Sequence, residues 1–281
     1  MPSRLWQRFA IAAAATILAI PAGAAEEDNR WFVRLDSFLP MNQETRVRYD
    51  TPLQGVGIDF RLEDEPGLDD NYSQFRLAIG RRIGAKQRHE IELSYLETSR
   101  DNTTTTTVNL QLGSVDIPLD AQLDTSADTT DLELNYKYYF LLTDTGELGV
   151  VAGIHILDFE SIFAATISPQ GGPIALPVRV RADVSAPIPV VGLKGDWNFA
   201  SKWHLNGSLK AFDASIDDID IKGSFVELQV AVEHYTFKHV GFGIGFFADR
   251  LDAEETAEDQ FFLGEWDQDR DGGFVFVRGR F

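Results

Sequence analysis

Apolar residues recur at every second position along most of the chain, in runs that turn-forming residues interrupt, and helical spacing is nearly absent. Leu132, Leu134, Tyr136, Tyr138 and Phe140 make one strand face wholly apolar or aromatic, while Asp131, Glu133, Asn135 and Lys137 take the other. Ile91, Leu93 and Tyr95 stand against Arg88, Glu90, Glu92 and Ser94 in the same way, as do Val226, Leu228, Val230 and Val232 against Glu227, Gln229 and Glu233. The final segment sets Val275, Val277 and Phe281 on one face, with Gly279 between them, and Phe274, Phe276, Arg278 and Arg280 on the other.

Alternation alone fits a soluble sandwich with its apolar faces inward. Three features favour the inverted case, a closed antiparallel transmembrane barrel whose apolar face meets lipid and whose polar face lines the interior. The strands are long, aromatics gather near the ends of the apolar faces, and brief links alternate with long polar ones. Brief links fall at Gly84 to Gln87, Thr143 to Gly146, Ala200 to Lys202 and Lys238 to His239; the long ones fall near 100–128, 164–178, 214–222 and 252–270. Short periplasmic turns and longer outer loops give that rhythm.

The expected strands lie near 31–39, 43–50, 55–64, 72–84, 87–100, 127–142, 146–163, 178–199, 202–214, 222–237, 240–252 and 265–281, twelve in all. If the short second and third form a hairpin within an outer loop, the barrel has ten. Polar positions change parity between Arg179, Arg181, Asp183 and Lys194, Asp196, Asn198, so a β-bulge is expected near Pro187 and Pro189.

Residues 1–25 read as a secretory signal peptide: Arg4 and Arg8, an apolar run from Phe9 to Ile20, then small residues, with cleavage expected near Ala24 or Ala25. No linker divides residues 26–281, which read as a single barrel domain. The net charge is −19, and removing Arg4 and Arg8 deepens it by two. Such a field repels nucleic acid, which is excluded as a partner. There are no cysteines, so packing and backbone pairing must hold the fold.

With its leader, its period-two strands and the segment Gly273-Phe274-Val275-Phe276-Val277-Arg278-Gly279-Arg280-Phe281, the chain resembles the outer-membrane β-barrel proteins of Gram-negative bacteria. The resemblance implies location in the outer membrane, contact with its lipid and lipopolysaccharide, and delivery by the barrel-assembly machinery. It also implies that Val275, Val277 and Phe281 act as the assembly signal, Gly279 being smaller than usual at its position.

Outer-membrane phospholipases and lipid A deacylases resemble one another in placing His and Ser two positions apart on one strand face. None of the five histidines here has a Ser at that spacing; His204 with Ser208 shares a face at a wider one. Omptin-type proteases resemble a rim constellation of an Asp pair and an Asp-His pair; Asp69-Asp70 and Asp217-Asp218 supply acids, but no Asp-x-His occurs. Asp267, Asp269 and Asp271 match the first half of a calcium loop, but its closing glutamate is replaced by Arg278. No cofactor is expected.

Glu90, Glu92, Asp131, Glu133, Lys137, Arg179, Arg181, Asp183, Lys194, Asp196, Lys210, Glu227, Glu233, Arg278 and Arg280 are assigned to the lumen, because a midplane Arg or Lys facing lipid costs on the order of 2–4 kcal/mol. If these charges pair, the interior is largely filled and the barrel is a non-enzymatic, structural or surface-interacting element. If they segregate, it is a narrow diffusion channel, cation-preferring from the net acidity. A barrel-embedded lipid hydrolase is the third expectation.

Overall fold

The computed structural model describes residues 30–50, 57–61, 63, 72, 74–105, 110–112, 115–117, 122–167, 176–216, 221–255 and 263–281. The expected leader and its cleavage point lie outside the described residues. The strands are β1 (Trp31–Asp50), β2 (Gly57–Arg61), β3 (Gln74–Ile83), β4 (His89–Thr105), β5 (Leu110–Leu112), β6 (Val115–Ile117), β7 (Gln122–Leu142), β8 (Gly146–Ile167), β9 (Leu176–Ala200), β10 (Trp203–Ile216), β11 (Ile221–His234), β12 (Val240–Glu255) and β13 (Leu263–Arg280).

Ten of them form the barrel wall. Each pairs antiparallel with its neighbour in the order β1, β3, β4, β7, β8, β9, β10, β11, β12, β13, and β13 pairs back onto β1 from Phe32↔Arg280 to Asp50↔Leu263. Trp31 and Phe281 exchange backbone hydrogen bonds of 2.8 and 3.0 Å at the seam. β5 and β6 form a separate hairpin, and β2 pairs only with the far end of β1.

The barrel therefore has ten strands and not twelve. The expected strands 31–39 and 43–50 are one strand, since both halves pair with β13 in a register shifted only between Pro40 and Asn42. Pro40 lacks an N–H and reads as a break, but a bulge absorbs it together with Met41, and the strand continues. The bulge switches the inward parity from Arg34, Asp36 and Phe38 to Gln43 and Thr45, all buried.

The bulge expected near Pro187 and Pro189 is absent. β9 runs against β8 without a register shift from Leu176 to Trp197, with Pro187 opposite Ile156 and Pro189 opposite Ile154. The prolines are tolerated because β10 pairs with β9 only from Val191 onward, so beyond that point one side of β9 carries no β10 ladder.

The short turns are set by local chemistry. Gly84, Gln87 and Lys202 take positive φ (83°, 50° and 67°), which closes the β3–β4 and β9–β10 hairpins. At the β7–β8 turn the Thr143 hydroxyl donates to the Gly146 carbonyl (2.8 Å) and accepts from its N–H (3.0 Å).

Burial is inverted relative to a soluble protein. Leu134 is 49% exposed and Val191 66%, whereas Glu133 and Asn135 are 3% and 1% exposed. Leu93, Leu134 and Ile154 are cross-strand partners in one outward row, and all are exposed. Near the short turns a belt of Trp197, Phe199, Trp203 and His234 runs around the outside, with ring centroids 4.6–6.5 Å apart. Such belts mark the edge of an apolar band.

Toward the long links the outward face turns polar, with Ser99, Asp101 and Thr103 on β4 and Asp124 and Asp128 on β7 all exposed. β7 has 21 residues, about 70 Å of extended chain, so its strand projects well beyond a band about 25 Å tall.

On the inner wall of β12, Gly243 and Gly245 permit close packing by Phe276 and Phe274; a Cβ at Gly245 would meet the Phe274 ring at 2.5 Å and the Ala231 Cβ at 2.7 Å. A Gly245→Leu barrel is expected to lose about 1–3 kcal/mol of unfolding free energy from overpacking, read from the urea midpoint of the refolded protein. An unchanged midpoint would mean that the aromatic layer has slack.

Candidate functional site: the lumen

Period-two alternation delivers one side chain from every second residue of ten strands into a single interior. The turn-side half is ionic. Lys137 Nζ sits 2.9 Å from Glu90 and 2.7 Å from Glu92. Arg82 bonds Glu90 (3.2 Å) and reaches across to Glu147 on β8 (2.5 Å). Arg278 is paired with Glu233 at 2.9 Å, and Arg280 approaches the same carboxylate at 3.9 Å. His204 Nδ1 lies 2.9 Å from Asp196.

At mid-height the contacts cross the lumen. Asp36, fully buried, holds Arg34 (2.5 Å) and Arg76 (3.1 Å), and Arg76 donates onward to Gln229 of β11 at 3.1 Å. Lys210 of β10 bridges Glu133 of β7 (2.7 Å) and Glu227 of β11 (2.9 Å). Beside these groups Phe38, Leu96, Ala231, Phe247, Phe274 and Phe276 form an apolar cluster. Arg34 stacks over Phe276 at 4.0 Å and Arg76 over Phe38 at 5.0 Å, so the ionic and aromatic halves are joined.

The loop-side half is packed. Phe159 stacks on Trp266 at 4.6 Å, and Arg270 is paired with Asp249 at 2.8 Å. Tyr72 donates to Gln43, while Glu63 accepts from Arg100 (2.9 Å) and from the Thr45 backbone N–H (2.7 Å). Among the described residues there, Gln43, Tyr72, Thr98 and Arg270 enclose a void of about 10 Å³, the scale of one water. The turn-side half instead keeps a cavity of about 320 Å³ whose mouth is lined by Arg30, Gln87, Asp144 and Thr145.

A closed ten-stranded wall, an exposed apolar band and a charged interior are on one molecule, the arrangement that lipid outside and water at both ends require. The protein is an integral outer-membrane β-barrel. Among solved structures it is similar to the outer membrane protease OmpT of Escherichia coli, at 12% identity and a TM-score of 0.58, over 92% of this chain and 99% of that one. It also matches the toluene transporter TodX of Pseudomonas putida (9% identity, TM-score 0.41, 95% and 94% covered). A third match is the translocator domain of the autotransporter NalP of Neisseria meningitidis (10%, 0.37, 97% and 96%). The likeness to OmpT is one of fold. No protein-family model and no curated protein matches the chain.

In this outer-membrane barrel Glu90, Glu133, Lys137, Lys210, Glu227, Glu233 and Arg278 are buried in the interior, and Glu92, Asp131, Lys194, Asp196 and Arg280 are half-buried. Arg179, Arg181 and Asp183 stand opposite Ala164, Ile162 and Glu160 in unbroken register. Without the bulge, the ground for placing these three in the lumen falls; their side chains lie outside the described residues. Val275 is exposed on the lipid face, with Val277 and Phe281 half-buried.

Asp267, Asp269 and Asp271 are not a calcium loop. They lie along β13, where about 13 Å of extended chain separates the first from the last, and Asp271 accepts instead from Asn42. His204 and Ser208 are likewise about 13 Å apart along β10 and form no dyad. Asp69, Asp70, Asp217 and Asp218 lie outside the described residues.

Arg34, Asp36, Arg76, Arg82 and His155 also belong to the interior and were not assigned to it from the sequence. Their signal was parity: Arg76 and Arg82 alternate with Phe75, Leu77, Ile79 and Ile83 on β3, as Arg34 and Asp36 do with Val33 and Leu35 on β1. His155 stands between Asp131 (3.4 Å) and Glu133 (3.2 Å), a trio able to converge on a metal ion. Lys210 Nζ, 3.3 Å from the His155 ring and 2.7 Å from Glu133, already supplies the cation there.

Proposed function

We propose that this protein is a non-conducting, non-enzymatic barrel with a charged, largely filled interior, serving the envelope as a structural or surface-interacting element. The carrying observation is the set of contacts that cross the lumen, Arg76 to Gln229 and Lys210 to Glu133 and Glu227, backed by the phenylalanine cluster and the packed loop-side half. Ions crossing a barrel need a continuous water path, and these contacts stand in its way. The polar strand extensions beyond the apolar band are the surface that lipopolysaccharide or another envelope partner would meet.

The histidines bear on the enzyme question. His89, His204, His234 and His239 lie at the turn end and His155 inside the lumen, so none is at the loop-side rim where an Asp-His pair would act on external substrate. In planar bilayers the refolded mature protein is expected to be electrically silent. Stable conductance steps would overturn this reading in favour of a diffusion channel.

A further inference from the structure

The acid excess of the chain does not extend to its cavity. Nine Lys or Arg and seven Asp or Glu line it, and Asp36 and Glu233 behind the lining pair with Arg34, Arg76 and Arg278, so the interior is balanced, whereas exposed acids such as Asp101, Asp124, Asp128, Asp158 and Asp252 lie on the outward faces. Most of the lining acids are already engaged: Glu90 and Glu92 by Lys137, Glu147 by Arg82, Glu133 and Glu227 by Lys210, and Asp196 by His204. Asp144 lies in the exposed turn at the mouth.

Lys194 of β9 has no hydrogen-bond or ion-pair partner among the described residues. The charges that act on it most strongly are three cations, Lys137, Arg278 and Arg34, and one carboxylate, Glu92, which Lys137 holds; Asp196, two residues along the strand, is held by His204. Its cross-strand partners are Gly149 on β8 and Ser208 on β10, neither of which brings charge or bulk over it. The ammonium therefore projects into the open cavity among like charges. An unpaired cation withdrawn from bulk water is unfavourable, and an anion beside it relieves both the desolvation and the repulsion.

We propose that the cavity is a binding site for one small dianionic oxyanion, held by Lys194 with Arg278, Arg34 and Lys137 around it and admitted from the periplasmic side. Among the described residues the loop-side half is packed, so the mouth at Arg30, Gln87 and Asp144 is the entrance. A volume of about 320 Å³ accommodates a phosphate or a short dicarboxylate and excludes a polymer. Binding needs no conduction, because the ligand enters and leaves by the same mouth.

The test is titration calorimetry of the full mature barrel, refolded in a detergent free of phosphate and carboxylate, with inorganic phosphate and separately with succinate. Heat that saturates at one anion per barrel is expected for at least one of them, and the one that binds assigns the ligand to the phosphate or the dicarboxylate class. Lys194→Met is expected to weaken binding at least about tenfold, about 1.4 kcal/mol, while Lys194→Arg retains it. The Met variant should fold to the same heat-modifiable gel band, since it removes an unpaired charge. Ser208→Asp, which gives Lys194 an internal carboxylate, should weaken binding with Lys194 still present. Absence of saturable heat with both anions overturns the site, as does wild-type affinity in Lys194→Met or in Ser208→Asp.

Discussion

An Asp36→Ala barrel is expected to unfold with about 3–5 kcal/mol less free energy than the wild type, measured by urea titration of the refolded protein with tryptophan fluorescence. Asp36 is fully buried and is the carboxylate shared by Arg34 and Arg76, which are themselves only 6% and 8% exposed. Removing it leaves two guanidinium groups close together without their acid, largely withdrawn from bulk water though they border the turn-side cavity. The pair as formed need not be more stable than an apolar replacement of the same shape; the large term is the charge stranded when one partner goes. Asp269→Ala provides the contrast. Its pairing with Arg250 spans 3.6 Å between two exposed side chains, so its midpoint should match the wild type within error. If Asp36→Ala were as stable as the wild type, water in the turn-side cavity that both arginines line would be solvating them in place of the carboxylate, and the burial argument would fail.

Leu134→Arg should cost on the order of 2–4 kcal/mol when the protein is refolded into lipid bilayers. Leu134 sits in the outward row with Leu93 and Ile154, so a guanidinium there meets hydrocarbon. Asp128→Arg, on the same face of β7 but beyond the apolar band, is expected to leave the midpoint unchanged. Equal effects at the two positions would contradict the inside-out orientation, since only depth in the bilayer separates them.

Within the apolar band the fold was legible from the chain, because lipid on one side and polar interior on the other leave alternation unambiguous: residues 131–140 read correctly position by position. The strand count failed at Pro40-Met41-Asn42, where turn-like residues form a bulge inside a continuous strand. Local composition carries the cost of a lost N–H, but pairing with β13 on both sides of the irregularity outweighs it. The bulge expected between Asp183 and Lys194 is absent for another reason. Beyond the band the outer face of a strand meets water, so a charged residue no longer marks the interior. Ile188 and Val190, buried inside the barrel, are the converse, apolar residues serving a packed lumen.

The site was legible as an inventory and not as an arrangement. Glu133 and Lys210 could each be assigned inward from their own strands, but a bond from β7 to β10 depends on barrel closure and stagger, which no strand encodes alone.

Arg76 and Gln229 stand on strands four places apart around a ring of ten, and Glu133 and Lys210 three places apart. A tube held only by bonds within its wall can ovalise under lateral pressure from the surrounding lipid. Struts across the bore oppose that deformation in more than one direction, so this tube is stiffened in cross-section at the height where the bilayer squeezes it, and its shape is set from the inside.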